Sequence, residues 1–234
     1  MQVVVPFAAT EPKTRLADVL TPPERSAFAR AMLADVLTAV VEAGHEPTVL
    51  ATAPLDPATL DLEADVRDAV AVAVDERPLT EAVNARLPGR GDGGDDGDDG
   101  TDIDPVAVVM ADLALTTAGA LEALFAVAAD VAVVPGRGGG TNALVVRHPA
   151  FRVDYHGASY LDHCEIARDV GASLETVDSF RLGTDVDEPA DLVEVLIHGR
   201  ETDRAPARLR EFGFELERTD GRVTVARLEE SSPE

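Results

Sequence analysis

A lysine and an arginine two residues apart follow the first β-branched run of the chain, in VVVPFAATEPKTRLADVL, residues 3–20. Lys13 is the only lysine in 234 residues; every other member of the 20 basic side chains is arginine. A compact ammonium and a planar guanidinium fork are complementary means of gripping a polyphosphate. A chain that otherwise uses arginine throughout keeps its one lysine where a point charge is needed. Three aspartates supply the opposite charge. Asp112 closes the apolar run VAVVMAD, and Asp185 and Asp187 alternate in LGTDVDEPADL. Alternate residues of an extended segment point to one side, so the three together offer the hard oxygen ligands that Mg²⁺ takes. Asp187, just ahead of Pro189, has a second reading as a helix cap. A glycine-rich run, PGRGGGTNALVV (residues 135–146), is either an anion nest of turn amides completed by the Thr141 hydroxyl or a plain hairpin turn. In DHCE (residues 162–165) the adjacent side chains diverge around a helix, which argues against zinc.

Familiar phosphate loops are absent. No glycines precede Lys13-Thr14 as a G-x-x-x-x-G-K-[ST] loop requires, and no G-x-G-x-x-G follows Val5. The elements that must position the charged residues are legible from periodicity. Short β-branched runs alternate with helical patterns, which predicts a layered α/β fold. Strands are expected at Gln2–Pro6, Thr48–Ala51, Val70–Val74, Val106–Met110, Val131–Val134 and Leu144–Arg147. Thr21-Pro-Pro-Glu24 reads as a capping box opening a helix with Phe28, Met32, Val36, Leu37 and Val40 on one face, closed by Gly44. Further helices are expected at Leu79–Arg86, Thr117–Ala128, Tyr160–Val170 and Glu188–His198. The alternating FELERTDGRVTVARL predicts a hairpin over residues 212–228. Lys13 and Arg15 then follow the C-terminal end of a strand, where open α/β sheets bind ligands.

The composition excludes whole classes of partner. With 44 acidic and 20 basic residues the chain carries a net charge of −24, which disfavours nucleic acid and anionic membranes alike. Spread acidity with almost no lysine resembles the proteins of salt-loving archaea. One cysteine, Cys164, allows no internal disulfide, and neither a leader pattern nor a long uncharged stretch is seen, so a cytoplasmic protein is expected. The segment Gly89–Asp104 is almost entirely glycine and aspartate. It reads as a disordered insert within a single domain spanning residues 1–234, with a calcium loop as the alternative although the register of an EF-hand is missing.

Taken together, VVVPFAATEPKTRL, VMADL, GRGGGTNAL, YHGASYLDH and DVDEPADL resemble, in order and spacing, the archaeal 2-phospho-L-lactate guanylyltransferases, over about residues 1–200. That family is similar to the molybdenum-cofactor guanylyltransferases and other GT-A-like nucleotidyltransferases. The resemblance implies a three-layer sandwich around a mostly parallel mixed sheet, Rossmann-like in outline. It implies that GTP and 2-phospho-L-lactate give lactyl-diphospho-guanosine and pyrophosphate, a step toward the deazaflavin coenzyme F-420, by a homodimer. Lys13 and Arg15 would hold the triphosphate as the catalytic cations, with Pro6 and Asp112 also at the nucleotide. Mg²⁺ would sit on Asp112, Asp185 and Asp187. Thr141, Asn142, Gly157, Ser159 and His163 would cradle the acceptor. Phosphoenolpyruvate, phosphoglycerate, a sugar phosphate or molybdopterin as acceptor, and a non-catalytic nucleotide-binding protein, stand as the other readings.

Overall fold

The computed structural model describes residues 1–89, 104–219 and 221–228. The Gly/Asp-rich insert expected at residues 89–104 lies, but for its two end residues, outside them, as does Asp220 of the hairpin turn. Strands β1 (Gln2–Phe7), β2 (Pro47–Ala51), β3 (Ala71–Val74), β4 (Val106–Val109), β5 (Val131–Pro135), β6 (Thr141–Val146) and β7 (Leu174–Thr176) form one sheet in the order β3-β2-β1-β4-β6-β5-β7. Only β6 runs against the others, pairing antiparallel with β4 and with β5. A second, two-stranded sheet joins β8 (Phe214–Thr219) to β9 (Arg222–Arg227). The helices are α1 (Pro22–Glu42), α2 (Ala64–Ala69), α3 (Leu79–Asn84), α4 (Ala118–Phe125), α5 (Ser159–Asp169), α6 (Phe180–Gly183), α7 (Leu192–His198) and α8 (Arg204–Glu211).

Apolar residues on both faces of the central strands force a cover on each side. Val3 and Val5 of β1 pack with Leu33, Val36, Leu37 and Val40 of α1 and with Leu121 and Leu124 of α4. The intervening Val4 faces Val83 of α3, Phe151 and Ala167 of α5. The result is the expected three-layer sandwich. A third apolar cluster lies under α7, α8 and the hairpin, and contains Leu16, Phe28, Met32, Val186, Leu196, Leu209 and Phe214. The start of α1 follows the capping reading: the Glu24 carboxylate accepts the Thr21 N–H at 2.8 Å. Arg227 of β9 also bonds Glu24, so the closing hairpin is tied to the first helix. Asp35, nearly sealed within α1, accepts the N–H groups of Arg204 and Ala205, both at 2.8 Å, and so caps α8 from another element. Among the described residues no helix is long and apolar enough to cross a membrane.

Candidate active site

Strand order reverses at β1, which has β2 on one side and β4 on the other. At the C-terminal ends of β1 and β4 the loops part, and a cleft of about 300 Å³ opens between Pro6, Phe7, Lys13, Arg15, Met110, Asp112 and Asp187. This is the switch-point crevice that open α/β sheets use for ligands.

Two buried residues anchor the charged ones. Leu16, wholly buried, fixes the turn that carries Lys13, Thr14 and Arg15. Val186, also wholly buried, holds the segment on which Asp185 and Asp187 alternate, and its N–H reaches the carbonyl of Asp112 at 3.3 Å. Asp191 then accepts the N–H groups of Asp187 and Glu188, at 3.0 and 2.8 Å. With that capping task taken by Asp191, the Asp187 carboxylate is released toward the cleft.

It meets Lys13 there. The Lys13 ammonium donates to Asp112 Oδ2 at 2.6 Å and to Asp187 Oδ1 at 2.8 Å, and its side chain is only 11% exposed. Burial by itself would lower its pKa, but the charges and hydrogen bonds of Asp112 and Asp187 together outweigh burial and raise it, so the group stays charged. Arg15, far more exposed, donates to the other oxygen of Asp187 at 3.1 Å. Lys13 and Glu11 both hold left-handed backbone, with φ of 55° and 46°. Such conformations are uncommon away from glycine and cost of order 1 kcal/mol or more each, so the surrounding contacts must impose them. The loop is held in shape for its lysine.

Asp185 takes a different partner from the one expected. Its carboxylate accepts from the Asn142 amide at 3.1 Å, and Asn142 also donates to the carbonyl of Leu182. The structure brings Asp112 and Asp187 onto one cation, while Asp185 is engaged with Asn142. Among the described residues no group of three or more histidine, cysteine, aspartate or glutamate side chains is gathered as a metal cluster. Asn142 also explains the glycine before it, since a Cβ on Gly136 would lie 2.4 Å from Asn142 Oδ1.

Residues 135–142 form a turn between β5 and β6 rather than a helix entrance, with the Gly136 N–H on the Gly140 carbonyl at 2.9 Å. Because β6 runs antiparallel, its first residues, Thr141 and Asn142, arrive at the same edge as the last residues of β1 and β4. The Tyr160 N–H on the Gly139 carbonyl, at 3.1 Å, draws the start of α5 to this turn and with it Gly157 and Ser159. Gly157 has a φ of 49°, which favours glycine.

His163 corrects the expectation that it touches an acceptor. It is fully buried behind Thr141. Its Nε2 accepts the Asp154 N–H at 3.0 Å, so the proton resides on Nδ1 and is donated to Thr141 Oγ1 at 2.9 Å. The Thr141 hydroxyl proton is thereby left for another acceptor. Burial lowers the His163 pKa to about 4, opposed by Asp162 and Asp154. An imidazole near 6.5 when unfolded and near 4 when folded stabilises the fold fully above pH ~6.5, and that stability is lost as pH falls toward ~4. The unfolding free energy of wild type relative to His163→Gln should accordingly fall by up to ~3 kcal/mol between pH 7 and pH 4. A difference that does not change with pH would show that His163 is not held neutral.

Sequence reasoning passed over Asp75 and Arg77, which border a second cleft described below. The strand-end rule that singled out Asp112 applies equally to Asp75, the residue directly after β3, which at four residues is as long as β4.

Known proteins share this layout. A putative nucleotide-diphospho-sugar transferase from Desulfovibrio desulfuricans superposes with a TM-score of 0.62 at 19% identity, covering 90% of this chain and 95% of its own. A nucleotidyl transferase from a Methanothermobacter gives 0.53 at 16% identity, covering 90% and 99%. At those identities the fold is what is shared. Sequence relatives are far nearer: the 2-phospho-L-lactate guanylyltransferase of Haloterrigena turkmenica is 88% identical over the full length of both chains. That of Natrialba magadii is 62% identical over 97% of this chain and 99% of its own, and that of Methanosphaerula palustris 44% over 98% of each. The family model described as guanylyl transferase CofC like matches residues 1–228, hence the switch-point cleft, the turn between β5 and β6 and the closing hairpin alike. The chain belongs to the guanylyl transferase CofC-like family.

Proposed function

We propose that the chain transfers the guanylyl group of GTP to 2-phospho-L-lactate, giving lactyl-diphospho-guanosine and pyrophosphate. The observation that carries this reading is the single lysine held between Asp112 and Asp187 in the switch-point cleft, within a chain 88% identical throughout to a relative named for that activity. The nucleotide occupies the β1 side of the sheet and the acceptor the β6 side. A phosphate oxygen of the acceptor is already a nucleophile, so the chain has no proton to remove. It attacks the α-phosphorus, the bond to the β-phosphate oxygen breaks, and pyrophosphate leaves with the electron pair. Lys13 and Arg15 offset the charge that develops on the departing pyrophosphate. The Thr141 hydroxyl, oriented by His163, donates to the acceptor phosphate, and Gly157 and Ser159 complete that side.

The site also fits a magnesium ion. Asp112 Oδ1 is buried without a hydrogen-bond partner among the described residues, and carboxylate oxygens are the donors Mg²⁺ prefers. Asp112 and Asp187 would hold it, with Asp185 beside them on Asn142, and Lys13 would turn from the carboxylates to the phosphates. An ion held there would supply neutralisation of the phosphate charge. The same reading carries a cytoplasmic location and a homodimer, the latter open to sedimentation analysis.

The test is pyrophosphate release from GTP, with mass analysis of the product, across 2-phospho-L-lactate, phosphoenolpyruvate and phosphoglycerate. Release that depends on 2-phospho-L-lactate and yields its guanylyl conjugate is expected. Release with another acceptor alone would reassign the substrate.

A further inference from the structure

A second cleft, of about 200 Å³, adjoins the first and shares Pro6, Phe7, Ala8 and Met110 with it. Its remaining walls are the apolar Leu50, Leu79 and Ala82 together with Thr52 and two charged side chains, Asp75 and Arg77. A flat heteroaromatic ring needs such apolar walls with a few directed polar groups. Continuity through Pro6 to Ala8 makes the cleft the place where a nucleoside extends from a triphosphate held at Lys13.

The geometry of the charged pair narrows the choice of ring. Asp75 accepts from Arg77 Nε at 2.9 Å and from Nη2 at 2.6 Å, one carboxylate oxygen to each, and from the Arg77 backbone N–H at 3.2 Å. These bonds hold the Asp75 carboxyl down at about 2, so it is charged at any working pH. Arg86 stands 4.0 Å off on the same carboxylate. Asp75 is 8% exposed and Arg77 50% exposed, so the carboxylate is fixed and the guanidinium projects from it. The side edge of the guanidinium is thus occupied. Its end edge, Nη1 with the second hydrogen of Nη2, makes no hydrogen bond among the described residues.

Guanine presents two acceptors, O6 and N7, at the spacing of that end edge, whereas adenine replaces O6 with an amino donor. We propose that Arg77, held in place by Asp75, selects guanine over adenine by donating from its end edge to O6 and N7 of a base seated in this cleft. The inference rests on the guanylyl reading above and names a residue that determines its specificity; Asp75 is a positioning residue that acts through Arg77.

Hypoxanthine keeps O6 and N7 and lacks only the 2-amino group, and 7-deazaguanine lacks N7 alone, so the two separate the edges of the base. Initial rates with GTP, ITP, 7-deaza-GTP and ATP should be compared for wild type, Arg77→Ala, Arg77→Lys and Asp75→Asn. Wild type is expected to use ITP within a few-fold of GTP, to lose ~10-fold on 7-deaza-GTP and to use ATP at least ~100-fold less well. Arg77→Ala should shrink the GTP-to-ATP ratio at least ~10-fold and erase the 7-deaza penalty. Arg77→Lys should fail to restore the ratio, since an ammonium cannot donate as a fork. Asp75→Asn should move the ratio the same way, chiefly through KM for GTP. An unchanged GTP-to-ATP ratio in Arg77→Ala, with GTP turnover retained, overturns the proposal. So does a wild type that uses 7-deaza-GTP as well as GTP and ITP poorly, because the reading group then faces N1 and the 2-amino group. Wild type inert with GTP but active with another nucleotide would overturn the guanylyl reading itself, and the specificity with it.

Discussion

Lys13→Arg should lower kcat/KM for GTP at least ~30-fold, corresponding to ~2 kcal/mol of transition-state stabilisation, while the protein remains folded. The charge is conserved in this exchange and the shape is not. An ammonium bridges Asp112 and Asp187 at 2.6 and 2.8 Å from a side chain only 11% exposed. A planar guanidinium in the same place meets two carboxylates approaching from different directions, and its fixed fork satisfies one at the expense of the other. It would also leave that pair less readily, and so compete with the phosphates it must serve. Lys13→Ala separates the structural role from the chemical one. The two carboxylates would then face each other with only the exposed Arg15 left beside Asp187, and Asp112 has an oxygen that lacks a partner among the described residues, so unfolding free energy should drop by ~2 kcal/mol at low salt. Added salt should recover part of that loss by screening. Measured together, turnover and urea unfolding of the two variants decide the matter. Near-wild-type turnover of Lys13→Arg would remove Lys13 from the chemistry.

Asp112→Asn should abolish turnover, by about 10³-fold or more, because the residue both orients Lys13 and offers the partnerless oxygen of the proposed magnesium site. The stability effect carries equal information. Three aspartates without a counter-ion would repel, and neutralising one would then stabilise the protein. With Lys13 set against Asp112 and Asp187 the sign reverses, and Asp112→Asn should cost ~1 kcal/mol, since the amide oxygen still accepts the bond but no longer balances the charge. Unfolding should be followed with and without GTP and Mg²⁺. Ligand-induced stabilisation is expected in wild type and should be much reduced in the variant. Equal stabilisation of both proteins would take the metal away from Asp112.

That reversal of sign shows where sequence reading stopped. Each of the six strands expected in the main sheet is present; the central ones, buried on both faces, must be apolar β-branched runs, and such runs are visible without knowledge of their neighbours. The long helix α1 was equally plain from Thr21-Pro-Pro-Glu24 and its apolar face. Elements whose stability comes from partners were not. Strand β7 is three residues, Leu174–Thr176, sustained by pairing with β5. Helix α8 contains Pro206 and depends on Asp35, 169 residues earlier in the chain, to cap its first turn. In the site, residue types announced cations and carboxylates, yet pairing is a three-dimensional property. Nothing in LGTDVDEPADL tells that Asp187 turns to Lys13, Asp185 to Asn142 and Asp191 to the backbone. The burial of His163 was hidden for a related reason: a histidine set behind the hydroxyl of Thr141 carries the same letter as one that faces the cleft.

The third apolar cluster has a consequence for how the protein comes into being. Leu16 and Val186, which anchor Lys13 and Asp187, share that cluster with Leu209 of α8 and Phe214 of β8, and Arg227 reaches back to Glu24. Chains emerge from the ribosome N-terminus first, and their early segments begin to fold before the last are made. The central sheet can assemble once β7 has appeared, but the floor beneath Lys13 and Asp187 stays open until residues beyond 200 have cleared the exit tunnel. Order at the pair of Lys13 and Asp187 therefore arrives last, at the close of translation, and a nascent or C-terminally clipped chain would carry the central sheet without the footing on which its lysine stands.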